Sequence, residues 1–223
     1  YLCTPFSRKS VIRLEKMKVD AYKIGSGECN NYPLVRMIAS LKKPVILSTG
    51  MNDLSTIKPS VKILRKYGNP FALMHCTSIY PTPYNNVNLK AIEELAGTYP
   101  DAIIGLSDHS IGNYTSFAGV ALGAKIIEKH FTSNKSWPGP DMEISITPDE
   151  LKDLIKGTDA ISNALDGKKR ILAQEKPTIY FAYACVVSTR DIKKGEPFTI
   201  ENIWVKRPGT GEVMRTGAPM TNP

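Results

Sequence analysis

A chain of 223 residues, 42% hydrophobic and 22% charged, has room for one large globular domain with a small appendage and is too apolar to be disordered. Its formal charge of +8 favours anionic partners, but the basic residues fall in short clusters (Lys42-Lys43, Lys168-Lys169-Arg170, Lys193-Lys194) without interleaved aromatics, which argues against a nucleic-acid platform. No apolar run reaches membrane-span length, no signal peptide opens the chain, and Cys3, Cys29, Cys76 and Cys185 form no C-x-x-C pair, so a cytoplasmic protein with reduced thiols and no membrane partner is expected.

The opening Tyr1-Leu2-Cys3-Thr4-Pro5-Phe6 lacks an initiator methionine and reads as the tip of a strand, which predicts a fragment of a longer protein. Residues 7–19 carry Val11, Leu14 and Met17 at helical spacing, with Ser7 or Ser10 as cap. Then come a strand at 21–24, a helix at 32–41, a strand at 44–47, a helix at 56–67 stopped by Gly68-Asn69-Pro70, and a strand at 71–76. Residues 88–99 read as a helix capped by Asn88. Two apolar runs follow, 103–109 and 124–132, separated by enough chain for one crossover helix. Thr147-Pro148-Asp149-Glu150 supplies a cap and an acidic first turn for a helix to 165. Beyond a polar, lysine-rich linker, residues 184–189 form another strand.

Strands alternating with helices predict an α/β fold with a parallel sheet, either open and doubly wound or part of an eight-stranded barrel. The distribution of polar residues favours the barrel, because every strand ends in chemistry: Thr4, then Lys23, Ser26 and Glu28, then Ser48 and Thr49, then His75, Thr77 and Ser78, then Ser107 and His109, then His130. The run Ile24-Gly25-Ser26-Gly27-Glu28 lacks the third glycine of a dinucleotide fingerprint. His109 and His130, at the ends of neighbouring parallel strands, would share one rim and could hold half the coordination shell of a divalent metal. Lys23 with Ser26, Ser48, Thr49, Ser78 and Ser107 offers one cation and several hydroxyls to a phosphate or carboxylate. Glu28 and Asp141 add carboxylates for sugar hydroxyls or for proton transfer, and Tyr80, in a proline-stiffened loop, is placed to line the pocket wall.

In order along the chain, Lys23-Ile24-Gly25-Ser26-Gly27-Glu28, Leu47-Ser48-Thr49-Gly50-Met51, His75-Cys76-Thr77-Ser78-Ile79-Tyr80-Pro81-Thr82-Pro83, Gly105-Leu106-Ser107-Asp108-His109-Ser110, Glu128-Lys129-His130-Phe131-Thr132 and Gly139-Pro140-Asp141 resemble the successive motifs of the sialic acid synthases, including the legionaminate and pseudaminate synthases. The resemblance implies a partial (β/α)8 TIM barrel followed by the start of a small antifreeze-like (SAF) domain, divided here as 1–166, a linker at 167–180, and 181–223. It further implies condensation of phosphoenolpyruvate with an N-acetylated amino sugar such as N-acetylmannosamine, with loss of phosphate by C–O cleavage, a Mn2+ or Mg2+ cofactor, and a domain-swapped homodimer. Under it His109 and His130 are metal ligands, and Thr4, Lys23, Ser26, Ser48 and Ser107 bind phosphoenolpyruvate, with Ser78 where relatives often carry asparagine. Glu28, Tyr80 and Asp141 face the sugar, so that Glu28, Asp141 and Lys23 form the catalytic set. Arg207, in Ile203-Trp204-Val205-Lys206-Arg207, would reach the partner subunit's sugar site.

The chain departs from the family in having no counterpart of the early strands, with their glutamate and second lysine, and in carrying Met142 after Gly-Pro-Asp and Phe181-Ala182-Tyr183 before the SAF strand. Two other readings are another phosphoenolpyruvate-dependent sugar-acid synthase and an inactive carbohydrate-binding or scaffolding remnant.

Overall fold

The apolar runs pair in the order in which the chain presents them. In the computed structural model, which describes residues 1–207, the strands β1 (Tyr22–Ile24), β2 (Val45–Ser48), β3 (Phe71–Cys76), β4 (Ile103–Asp108) and β5 (Ile126–Lys129) form one parallel sheet ordered β1-β2-β3-β4-β5. A doubly wound sheet reverses its strand order at a switch point, and this one does not, so the five strands are an arc of a barrel wall. Laid flat, β1 and β5 would lie about 19 Å apart, four strand spacings. Lys23 on β1 nevertheless bonds Glu128 on β5 at 3.1 Å, which requires the sheet to curl.

Alternation along each strand sorts the side chains between the two faces. Tyr22, Ile24, Val45, Leu47, Phe71, Leu73, Ile104 and Leu106 belong to the main apolar core, together with Val11, Leu14, Leu34, Val35, Ile38, Val61, Leu64 and Ile92 of the helices. Those helices are α1 (Arg8–Lys16), α2 (Tyr32–Ala39), α3 (Leu54–Tyr67) and α4 (Ala91–Thr98), followed by α5 (Tyr114–Ala121) and α6 (Pro148–Ala164). The alternate strand positions, Lys23, Ser48, Cys76, Ser107 and Glu128, therefore face the concave side.

The sequence signals for helix ends fare unevenly. Ser7 caps α1 by accepting from the Ser10 amide, and Thr147 with Glu150 closes a capping box on α6 behind Pro148. The cap expected at Asn88 is not formed: Asn88 takes a left-handed φ of 53° in the preceding turn, and α4 starts at Ala91 after Lys90. A cap residue needs extended backbone before the first turn, which Asn88 gives up to make the bend. The expected strand tip at 2–4 reduces to one bond, Lys23 N to Cys3 O at 3.3 Å, outside any strand.

The first compact unit is Tyr1–Asp166, and the second begins at Gly167. Within the second, the polar stretch expected as a linker holds a 3-10 turn at Ala173–Glu175 and leads into helix α7 (Lys176–Ala182), and β6 (Cys185–Ser188) pairs antiparallel with β7 (Ile203–Lys206). Residues 208–223, which include the end of the SAF-like motif, lie outside the described residues. All four cysteines are free thiols, and among the described residues no helix is long and apolar enough to cross a membrane.

Candidate active site

Because all five strands run parallel, their C-terminal ends share one rim, and the loops leaving them carry the polar residues singled out above. Asp108 and Lys129 are register partners in β4 and β5. The next residue on each, His109 and His130, therefore emerges on the concave side, with ring centroids 5.3 Å apart and planes at 59°. Tyr80 lies against both rings, 4.2 Å from His109 and edge-on to His130 at 6.0 Å.

One of the two imidazoles is oriented by a hydrogen bond. His109 Nδ1 lies 2.9 Å from the Thr77 carbonyl, an acceptor only, so a neutral His109 carries its proton on Nδ1 and its lone pair on Nε2. His130 Nδ1 lies 3.6 Å from Asp141 Oδ2. The backbone of His130 is held by Ile146, whose amide bonds the His130 carbonyl at 2.8 Å, and Asp141 is held by Ser145, which bonds its carbonyl through Oγ at 2.7 Å. Burial lowers the His130 imidazole and Asp141 offsets this only in part, so the ring is neutral at physiological pH. Burial opposes charge on Cys76 and His109 as well. Their 3.8 Å contact nonetheless raises the imidazole and, with Ser26 and Ser78, holds the thiol below its ordinary range.

Beside the rings lies a polar cluster from three strands. Glu128 bonds Lys23 Nζ through both oxygens, at 3.1 and 3.0 Å, and accepts from Ser107 Oγ at 2.8 Å. Ser48 Oγ is buried with no hydrogen-bond partner among the described residues. At the next loop, the Gly50 amide donates to Ser26 Oγ at 3.0 Å, and a Cβ added at Gly50 would sit 2.5 Å from Ser78 Oγ and 2.8 Å from Ser26 Oγ. That glycine is required by the close approach of two serine loops to its backbone. Thr4 reaches the same rim beside β1, where its Cγ2 is 3.6 Å from the Cβ position of Gly25.

The structure thus brings His109, His130, Tyr80 and Asp141 into one group, Lys23 and Ser107 into a second, and Ser26 and Ser78 into a third that touches His109 through Cys76. Glu28 is not drawn into these contacts; its carboxylate takes a 2.6 Å bond from Asn31, the N-cap of α2. Arg207 is exposed in the second unit. His75, counted with the rim chemistry from its position near a strand end, instead points to the helix side and bonds the Val87 carbonyl at 2.6 Å. Glu128 was missed, although period-two alternation from His130 places it on the same face.

A divalent metal, implied so far only by resemblance, fits the donors present. The Thr77 carbonyl fixes the His109 tautomer that presents Nε2, and a neutral His130 lies alongside with Asp141 behind it. Two imidazoles would supply part of an ion's coordination shell, and substrate and water would take the remainder.

Comparison with known proteins follows the same division of the chain. Residues 1–170 match the NeuB family, and residues 183–220 match the SAF domain. The chain is 42% identical over 215 residues to the N,N'-diacetyllegionaminic acid synthase of Campylobacter jejuni, covering 95% of this chain and 64% of that one. It is 34% identical over 194 residues to the human N-acetylneuraminate-9-phosphate synthase, covering 86% of this chain and 54% of the relative. The crystal structure of the N-acetylneuraminic acid (sialic acid) synthetase from Leptospira borgpetersenii superposes with a TM-score of 0.74 at 39% identity, over 79% of this chain and 62% of that one. A DAHP synthase from Thermotoga maritima, 19% identical with a TM-score of 0.63, shares the fold. The chain therefore spans less than two thirds of the length of these curated relatives.

Proposed function

The chain belongs to the NeuB family, and from that premise we propose that it is the metal- and phosphate-binding part of a synthase that condenses phosphoenolpyruvate with an N-acetylated amino sugar. The product is a nonulosonate of the sialic acid type, with phosphate released. The observation that carries this reading is the juxtaposition of the His109–His130 pair with the Lys23–Ser107–Glu128 cluster on one concave rim.

Phosphoenolpyruvate carries a phosphate and a carboxylate, and the rim offers each what it needs. Lys23 supplies positive charge, the unpartnered Ser48 hydroxyl supplies a donor, Ser107 supplies another by turning its O–H from Glu128 to the anion, and Ser26, Ser78 and Thr4 extend the donor set along the neighbouring loops. Glu128 holds the Lys23 ammonium in place and shares it with the incoming anion. His109 and His130 would hold Mn2+ or Mg2+, which when bound supplies Lewis-acid polarisation of the sugar's aldehyde oxygen. Tyr80 packs on the rings as the wall of the sugar pocket, while Asp141 beside His130 is placed to bind a sugar hydroxyl or take up a proton. Glu28 faces the same pocket in this reading, released from Asn31 when the sugar binds.

Residues 1–166 are the C-terminal part of the synthase barrel, 167–180 the connector and 181–223 the SAF unit. Arg207 serves the partner's site in a domain-swapped homodimer, and the protein works in the cytoplasm. The SAF match at 183–220 and the named activities of the relatives support these points.

Calorimetric titration with phosphoenolpyruvate in the presence of Mn2+ tests the reading. Saturable binding is expected, weakened about tenfold or more by Lys23→Ala through loss of a charge-assisted contact, and unaffected by Lys43→Ala on the helix side. Equal affinity in the wild type and Lys23→Ala would reject the anion site.

A further inference from the structure

We propose that the buried Asp108–Lys129 ion pair is the positioning device for the two imidazoles, an inference that rests on their proposed role as cation ligands. Lys129 Nζ and Asp108 Oδ2 are 3.2 Å apart, with side chains only 2% and 0% exposed, the most enclosed ion pair among the described residues. The two residues are register partners on β4 and β5 and point to the helix side. One residue further along each strand, His109 and His130 point the opposite way. The ion pair thus stands directly behind the two rings.

Its hydrogen bonds grip the backbone that follows His109. Asp108 Oδ1 accepts from the Ser110 amide at 2.8 Å, and Oδ2 accepts from Thr115 Oγ1 at 2.6 Å and Ser116 Oγ at 2.7 Å. Lys129 Nζ donates to the carbonyls of Ser110 at 2.7 Å and Gly112 at 2.9 Å. The residue before His109, two residues after it and the residue before His130 are therefore tied to one hub, and the first turn of α5 is tied in with them.

Stability alone does not account for this choice of residues. Two charges taken out of water are costlier to bury than an apolar pair of the same size, and their mutual attraction does not reliably return the difference. What a saturated, directional network provides, and an apolar pair cannot, is a fixed geometry. Here the geometry fixed is the spacing and aim of two rings, with the Thr77 carbonyl setting the His109 tautomer from the front. Loss of a group bonded directly to a metal-binding imidazole weakens metal binding by about 10- to 100-fold, and a hub that acts on the rings through the backbone is expected at the lower end of that range.

Two double variants test the proposal: Asp108→Leu with Lys129→Met, which replaces the pair by apolar side chains, and Thr115→Val with Ser116→Ala, which keeps the pair and removes two of its hydroxyls. The readouts are the His109 tautomer, from long-range proton–nitrogen NMR, and Mn2+ affinity, from the EPR signal of the free ion. In the wild type a single Nδ1–H tautomer is expected. Each variant is expected to melt cooperatively, to show exchange between both tautomers, and to bind Mn2+ about tenfold more weakly. A folded variant that keeps the wild-type tautomer and Mn2+ affinity overturns the proposal, and the hydroxyl variant decides if the apolar one fails to fold. A wild type that binds no Mn2+ yet shows the fixed tautomer, lost in the variants, rejects the metal role while supporting the clamp.

Discussion

Ser48 sits at the end of β2, 2% exposed, with its hydroxyl without a partner among the described residues. A buried hydroxyl left unpaired costs about 1–3 kcal/mol, so removing it should not destabilise the protein. Ser48→Ala is therefore expected to leave the melting temperature unchanged or higher while weakening phosphoenolpyruvate binding about tenfold, the value of one hydrogen bond to a charged group. Thermal melts and calorimetry on the same samples check both signs; a lower melting temperature with unchanged affinity would mean the hydroxyl serves the fold. At this scale the sequence was informative wherever a polar residue closes an apolar run. His109, His130, Ser48 and Ser107 all stand out in that way. Glu128 did not, because a glutamate two positions before a histidine in a half-buried edge strand looks like ordinary surface until its bond to Lys23 across the curl is seen. His75 misled for the converse reason, since a strand end indicates height along the barrel and only parity indicates the face.

The capping box of α6 was legible from four letters, Thr147-Pro148-Asp149-Glu150, and it makes a pH prediction. Lys135 and the Thr147 amide hold the Glu150 carboxylate below its ordinary value, against a smaller opposing effect of burial. The folded carboxyl thus titrates below the unfolded one, near 4.3. Its stabilisation is complete above that unfolded value and is lost as pH falls through the lower, folded one. Because the pair is partly exposed, its contribution is small, on the order of 0.5–1 kcal/mol. Glu150→Gln should lower stability at neutral pH by about that amount and flatten the acid limb of the stability profile, measured by denaturant melts across pH 2–7 (about the range over which a carboxylate titrates). An unchanged acid limb would place the loss elsewhere. Other element ends were less readable. Asn88 has a cap's chemistry, but it follows the 3-10 turn at Tyr84–Asn86 and is used to bend the chain. Residues 167–180 are rich in lysine and other polar residues, yet they contain a turn and the start of a helix, because polar composition shows what stays wet and says little about local hydrogen bonding.

Over the first unit, the alternation of strands and helices indicates the class of fold, and the polar residue at every strand end distinguishes an arc of barrel from an open sheet. The uninterrupted order β1 to β5 bears this out. What the letters could not give was the curl that joins Lys23 to Glu128, since closure across 105 residues is a property of strand twist accumulated over the whole sheet. In the proposed function, His109 and His130 bind one ion together. Electron spin echo modulation of added Mn2+ reads directly how many imidazole nitrogens are coordinated. Two coupled nitrogens are predicted in the wild type and one in each of His109→Ala and His130→Ala; a wild type with none, or alanine variants identical to it, would contradict the account.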